Sequence, residues 1–197
     1  MFDLQFFANI NYYTALLNSK NIEFAVHLPY QKGWFSNKCV VASATGPLKL
    51  TIPILGGRNQ KKLFKDVRIA YHENWRHQHL RAIETCYSNS PFFDFYFLEF
   101  DNLFKKHFNF LIDLNLQAHD LVMGILKSNQ KYIISEKKLN KNEVLFSKFQ
   151  SSNPNTEDFK LKYEQVFENK ISFVKNLSII DLIFCTGPQA LNHLKKS

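Results

Sequence analysis

The sequence predicts a single mixed α/β domain, a sheet with a β-hairpin covered by several helices, and three observations predict it. Between Ile22 and Ile54 apolar and polar residues alternate at period two, on either side of a Thr45-Gly46-Pro47 turn. From Trp75 to Lys127 the apolar residues recur at three and four, the period of helices. Phenylalanine occurs 20 times beside 8 Tyr and 2 Trp, so the 197 residues must close around large rings. A chain of this length buries a core without disulfides or metals, which makes residues 1–197 one domain, with a polar segment at about 128–162.

In chain order, Asn9 caps a helix whose stripe is Ile10, Tyr13, Leu16 and Leu17, leaving Asn11 and Tyr12 off it. Ile22, Phe24, Val26 and Leu28 form one face of a half-buried strand that Pro29 stops. Tyr30 to Lys38 is irregular, a loop of the kind that carries binding groups between strands. Cys39–Ala44 and Leu48–Ile54 make the hairpin, and Pro53, lacking a donor, puts its end at an edge. Gly56 to Lys65 is basic and glycine-containing but lacks the spacing of a phosphate-binding loop, so it reads as a surface connection. Asp66–Tyr71 reads as a further strand.

Asn74 then caps a helix from Trp75 to about Tyr87, which Ser88-Asn89-Ser90-Pro91 ends. Phe92 to His107 is an aromatic helix, and Leu114 to Lys127 a third, with Gly124 allowing a close helix contact. Tyr132–Ser135 is a short strand, and Ser178 caps a last apolar helix, Ile179–Phe184, that stops before Gly187-Pro188.

Composition excludes several classes. The apolar runs are broken by Asn or Asp well short of the roughly 20 residues that span a bilayer. Asp3 stands where a secretory leader carries lysines. Cys39, Cys86 and Cys185 have no paired spacing, which argues against a disulfide framework or a zinc knuckle and points to a reducing cytoplasm. The net charge of +8 raises a nucleic-acid partner, but the Lys and Arg are spread along the chain, as on a solvated surface.

One stretch gathers chemistry: His72-Glu73-Asn74-Trp75-Arg76-His77-Gln78-His79. Helical phase places Trp75 and His79 on the inner face with Ile83 and Cys86, and turns His77 outward. His72, Asn74 and Arg76 surround the first turn, where free amides and the helix dipole favour an anion. The alternative is structural: His79 as a core histidine donating to a backbone carbonyl, and His72 as a strand cap. The two-residue spacing of His77 and His79 excludes a zinc pair.

Motifs along nearly the whole chain resemble the WbqC-like family, in particular its Bacteroidetes forms. They are Tyr12-Tyr13; Tyr30-Gln31-Lys32 followed by Asn37-Lys38-Cys39; Leu50-Thr51-Ile52-Pro53; Asp66-Val67-Arg68-Ile69; and His72 through His79. Tyr87, Pro91-Phe92-Phe93, Tyr163 with Gln165-Val166-Phe167, and Asn176-Leu177-Ser178-Ile179-Ile180-Asp181-Leu182 complete the set. The chain departs from the expected pattern at Ser36, Lys38 and Cys185. Loss of guanidinium groups from the loop leaves lysine, a point charge, in place of a bidentate anion clamp.

The resemblance implies a setting in surface-polysaccharide (O-antigen) biosynthesis, where some members are called glycine or aminoacyl transferases acting on amino sugars. The expected function is therefore a cytoplasmic acyl or aminoacyl (glycyl-type) transferase on an activated, nucleotide-linked amino sugar, with no cofactor and no metal. His79 or His72 would take a proton from the sugar amine, and Asp181 would orient a histidine. Arg76 and Lys38 would hold phosphate, Asn37 and Gln31 would orient donor or acceptor, and Tyr30, Asn74 and Trp75 would complete the substrate site. The alternative is a non-enzymatic binding or assembly protein whose basic surface meets RNA or a protein partner.

Overall fold

The computed structural model describes residues 1–31, 33–57, 61–137 and 159–196. Lys32, Arg58-Asn59-Gln60 of the basic loop and most of the expected polar segment lie outside the described residues.

The chain opens with β1 (Phe2–Asp3) and then α1 (Ile10–Leu17), whose first turn is held by the Asn9 side chain accepting from the Tyr12 amide at 2.9 Å. Helix α1 is the crossover that lets β2 (Ile22–Ala25) return parallel to β1, with Phe2 opposite Phe24. Tyr12 is buried despite lying off the predicted stripe, because its hydroxyl donates to the Asp3 carbonyl beneath the crossover.

Strands β3 (Lys38–Ser43) and β4 (Gly46–Thr51) pair antiparallel from Lys38↔Thr51 to Ser43↔Gly46. The turn is Ala44-Thr45, two residues rather than the expected three, with Gly46 at φ +122 taking the left-handed position. The hairpin forms its own two-stranded sheet, so the single early-chain sheet becomes two. Asp66–Tyr71 is also not a strand. A 3₁₀ turn covers Phe64–Asp66, and the extended backbone beyond it divides its bonds, Ala70 N–H to the Pro53 carbonyl and Ile69 N–H to the Asn109 carbonyl. With partners on two different segments no ladder develops, although Val67 and Ile69 are buried as their spacing predicts.

Helices α2 (Trp75–Tyr87), α3 (Phe93–Lys105) and α4 (Leu111–Ile125) follow. Strand β5 (Tyr132–Ser135) then closes the first sheet in the order β1-β2-β5, pairing parallel with β2. Gly124 serves no close contact, since a Cβ there would meet nothing within 4 Å. After α5 (Glu168–Ile171) come α6 (Ile179–Thr186) and α7 (Ala190–Lys196). Among the described residues no helix is long and apolar enough to cross a membrane.

Helix α6 is the centre of the core. Ile179, Ile180, Leu182, Ile183 and Phe184 are all fully buried, the pattern of a helix surrounded on every side. Phe184 joins three helices, its ring 5.2 Å from Tyr87, 5.5 Å from Phe93 and 5.1 Å from Phe100. Each such ring contributes about 1.5–3 kcal/mol by leaving water.

The helix stops at Gly187, where φ is +53 and a Cβ would overlap the Phe92 ring. Gly187→Ala therefore combines left-handed strain with overpacking, and is expected to cost about 2–4 kcal/mol, read as a lowered urea midpoint. A midpoint equal to wild type would show that α6 ends without this constraint.

Candidate functional site

The His72–His79 stretch does not converge on one site. The His72 side chain is 66% exposed and lies 3.4 Å from Glu73. Asn74 precedes α2 as predicted, but its side chain makes no capping bond. The Arg76 guanidinium donates to the carbonyls of Lys105 and Lys106, at 3.4 and 3.2 Å, and stacks over Tyr71 at 5.2 Å. It thereby caps the C-terminal end of α3, where the helix dipole favours a cation.

Trp75 and His79 do point inward, into a box with Phe6 and Phe104. His79 Nε2 lies 3.2 Å from the Thr51 carbonyl, an arrangement that places the proton on that nitrogen, while Nδ1 is buried with no partner. Burial pushes its pKa down to about 4. A neutral, enclosed imidazole that ties α2 to the end of β4 fits the core-histidine alternative, not a base that meets a substrate amine.

Asp181 is fully buried and faces phenols, not a histidine. Its Oδ1 accepts from the Tyr87 hydroxyl at 2.8 Å, and Oδ2 from the Tyr163 hydroxyl at 2.6 Å and the Gln165 amide at 3.2 Å. Burial raises the carboxyl pKa to about 6, against the lowering effect of these three donors. The loop residues are likewise engaged. Tyr30 donates to Asn37 Oδ1 at 3.2 Å, Asn37 donates to the Ile52 carbonyl at 2.8 Å, and the Gln31 carbonyl accepts from the Trp34 amide. Tyr30 and Asn37 thus fasten the loop to the end of the hairpin. Lys38 stands with its ammonium 5.0 Å from the Phe35 ring centre.

A cavity of about 240 Å³ lies beside this loop, between the hairpin and the paired starts of α1 and α6. The register places Lys38, Val40, Pro47 and Lys49 on one face of the hairpin, and Val40, Pro47 and Lys49 line the cavity. The opposite wall is Asn9, Asn176 and Ser178, and Phe7 and Phe35 add apolar surface. Ser178 N–H donates to the Val40 carbonyl at 2.8 Å, which joins the two walls. Phe7 at φ 40 and Asn176 at φ 54 are both held in the left-handed region without being glycine, strain that the packed helix starts maintain.

The helix starts satisfy each other. Ile10 N–H donates to the Leu177 carbonyl, Asn11 N–H to Asn176 Oδ1, Ile179 N–H to the Ala8 carbonyl and Ile180 N–H to Ser178 Oγ. What the cleft offers a ligand is therefore side chains on apolar walls, with Lys49 its one charged lining residue. Two wider hollows carry both signs of charge: about 400 Å³ around Arg81, Glu84 and Asp101, and about 350 Å³ around Glu164 and Lys170. Cys39 reaches the cleft, but burial pushes its thiol up to about 12, so it is no nucleophile at neutral pH. Among the described residues no His, Cys, Asp and Glu cluster is arranged to hold a metal.

The sequence model of the WbqC-like protein family matches residues 5–155. The chain belongs to the WbqC-like protein family. No curated protein and no solved structure matches it. In this WbqC-like chain the matched span carries the hairpin wall of the cleft and Asn9, whereas Asn176 and Ser178 lie beyond it. Lys49, Asn9 and Asn176 were not among the predicted site residues. Lys49 was legible only through the hairpin register, which sets it on the same face as Lys38.

His119 is a second core imidazole, stacked on Tyr13 and held at a pKa of about 4 by burial. Both histidines titrate at ~6.5 when unfolded, so their contribution is complete above that pH and is lost as pH falls through about 4. Asp181 runs the other way: its contribution is complete below ~3.9 and is lost as pH rises through about 6. His79→Gln keeps a donor for Thr51 without titrating. The drop in urea midpoint between pH 7 and pH 4.5 is expected to be smaller in this variant than in wild type; an unchanged drop would mean that His79 is not held neutral.

Proposed function

We propose that the cleft between the hairpin and the starts of α1 and α6 binds an activated amino sugar, and that the chain serves acyl or aminoacyl transfer to the sugar amine. The observation that carries this reading is the cavity itself: apolar walls, two asparagine side chains and a lysine at its edge, the makeup of a small-molecule site. Asn9 and Asn176 add polarity to one wall, their Oδ1 atoms accepting from the Tyr12 and Asn11 amides, and Phe35, Val40 and Pro47 supply surface for a ring face. Membership of the WbqC-like family adds the surface-polysaccharide setting that the resemblance implies.

The binding-only alternative is favoured by one specific observation. No carboxylate or imidazole lines the cleft, so conventional acid–base pairs are lacking among the described residues there. Ligand binding and turnover separate the two readings.

A uridine-diphosphate-linked amino sugar at 100 times its Kd is expected to stabilise the wild-type chain by about 2–3 kcal/mol, measured by thermal shift. Val40→Trp, which fills the cavity, is expected to abolish that shift. Incubation with an aminoacyl donor is then expected to yield acylated sugar by mass spectrometry. Binding without product would leave the binding-protein reading, and a shift that persists in a folded Val40→Trp variant would remove the cleft from either.

A further inference from the structure

The outer face of the hairpin sets two lysines side by side. Lys38 pairs with Thr51 and Val40 with Lys49, so Lys38 and Lys49 are diagonal neighbours across the strands, with Cβ atoms roughly 7–8 Å apart. Lys49 lines the cleft, and the Lys38 ammonium lies 5.0 Å from the centre of the Phe35 ring, which also lines it. Like charges at such positions repel. Among the described residues neither lysine is paired with a carboxylate; the one lysine ion pair is Lys105 with Asp101. The first turn of α1, on the opposite wall, carries no acid, and the acid in the first turn of α6, Asp181, is turned into the core. Among the described residues the charge at the cleft and its mouth is therefore that of the two lysines.

Resting on the cleft as the ligand site, we infer that Lys38 and Lys49 hold a phosphate or diphosphate group at its mouth, so that the ligand is a phosphorylated compound whose ring lies against Phe35, Val40 and Pro47. Two separate ammonium groups act as point charges, and a multiply charged phosphate engages both more strongly than a singly charged carboxylate does. A bound dianion offsets the repulsion between the lysines, which together with burial lowers the pKa of Lys38. At about 240 Å³ the cavity is below the roughly 300–1,000 Å³ of pockets that enclose a drug-sized ligand. It takes one end of the molecule, and the phosphates mark where that end emerges past the lysines.

The test is calorimetric titration of the full chain with inorganic pyrophosphate at low and high salt, for wild type, Lys38→Gln, Lys49→Gln and Lys49→Arg. Pyrophosphate is expected to bind wild type, to bind each Gln variant at least about tenfold more weakly, and to retain most of its affinity in Lys49→Arg. Raising the salt is expected to weaken wild type more than either Gln variant. Equal binding by wild type and both Gln variants overturns the inference, since the anion then sits elsewhere, and so does a lack of pyrophosphate binding. N-acetylglucosamine, an uncharged probe, distinguishes the two levels. If it binds wild type and not Val40→Trp while pyrophosphate fails, the phosphate assignment falls and the cleft stands; if neither probe binds, both fall.

Discussion

A carboxylate buried in the first turn of an apolar helix is the constraint on which this structure depends. Taking the Asp181 charge out of water costs several kcal/mol unless donors replace its hydration. The donors come from separate parts of the chain: Tyr87 from the end of α2, and Tyr163 and Gln165 from the segment before α5. The Tyr87 oxygen also accepts from the Ala42 amide of β3 at 3.2 Å, and Gln165 is fixed in turn by both main-chain groups of Val174. One side chain thus holds the hairpin, α2, α6 and the late segment in register. The expense of burial is not fully offset, as a pKa of about 6 indicates, so removing a single donor would leave an under-solvated charge.

The cleft follows from the same frame. With α6 fixed at its first turn by Asp181, Ser178 is left to bond the Phe7 carbonyl through Oγ at 2.7 Å and the Val40 carbonyl through its amide. The starts of α1 and α6 cap one another, and the hairpin lies against both. Because their amides are consumed in this exchange, the hairpin wall of the cleft presents side chains, which strand alternation divides between the core and the cleft. Val41 and Leu50 go inward, while Val40, Pro47 and Lys49 line the cleft, which Cys39 also reaches.

What was legible in the sequence is what local chemistry controls. The bounds of α2, the Asn9 and Ser178 caps and the inward phase of Trp75 and His79 all follow from spacing within a few residues. Long-range pairing was not legible. The choice of β5 as the partner of β2, the division of bonds by Ile69 and Ala70, and the meeting of Asn9 with Ser178 depend on segments far apart in the chain. The side-chain partners of the histidine stretch were not legible for a related reason. Three histidines and an arginine in eight residues look like a centre of chemistry, but Arg76 is spent on the carbonyls of α3 and His79 on that of Thr51. Lys49 and Asn176, unremarkable in the sequence, acquire meaning only once the hairpin and α6 are docked.

The walls of the cleft are drawn from Phe7 and Asn9, from the hairpin at Lys38–Thr51, and from Asn176–Ser178. Bringing together residues so distant in the chain costs loop-closure entropy, which the packing of the finished fold offsets. A partly folded chain can hold its aromatic helices together and still have no ligand space. The cleft therefore exists only when the whole topology is in place, and anything that binds it would stabilise the folded chain as a whole over chains lacking it.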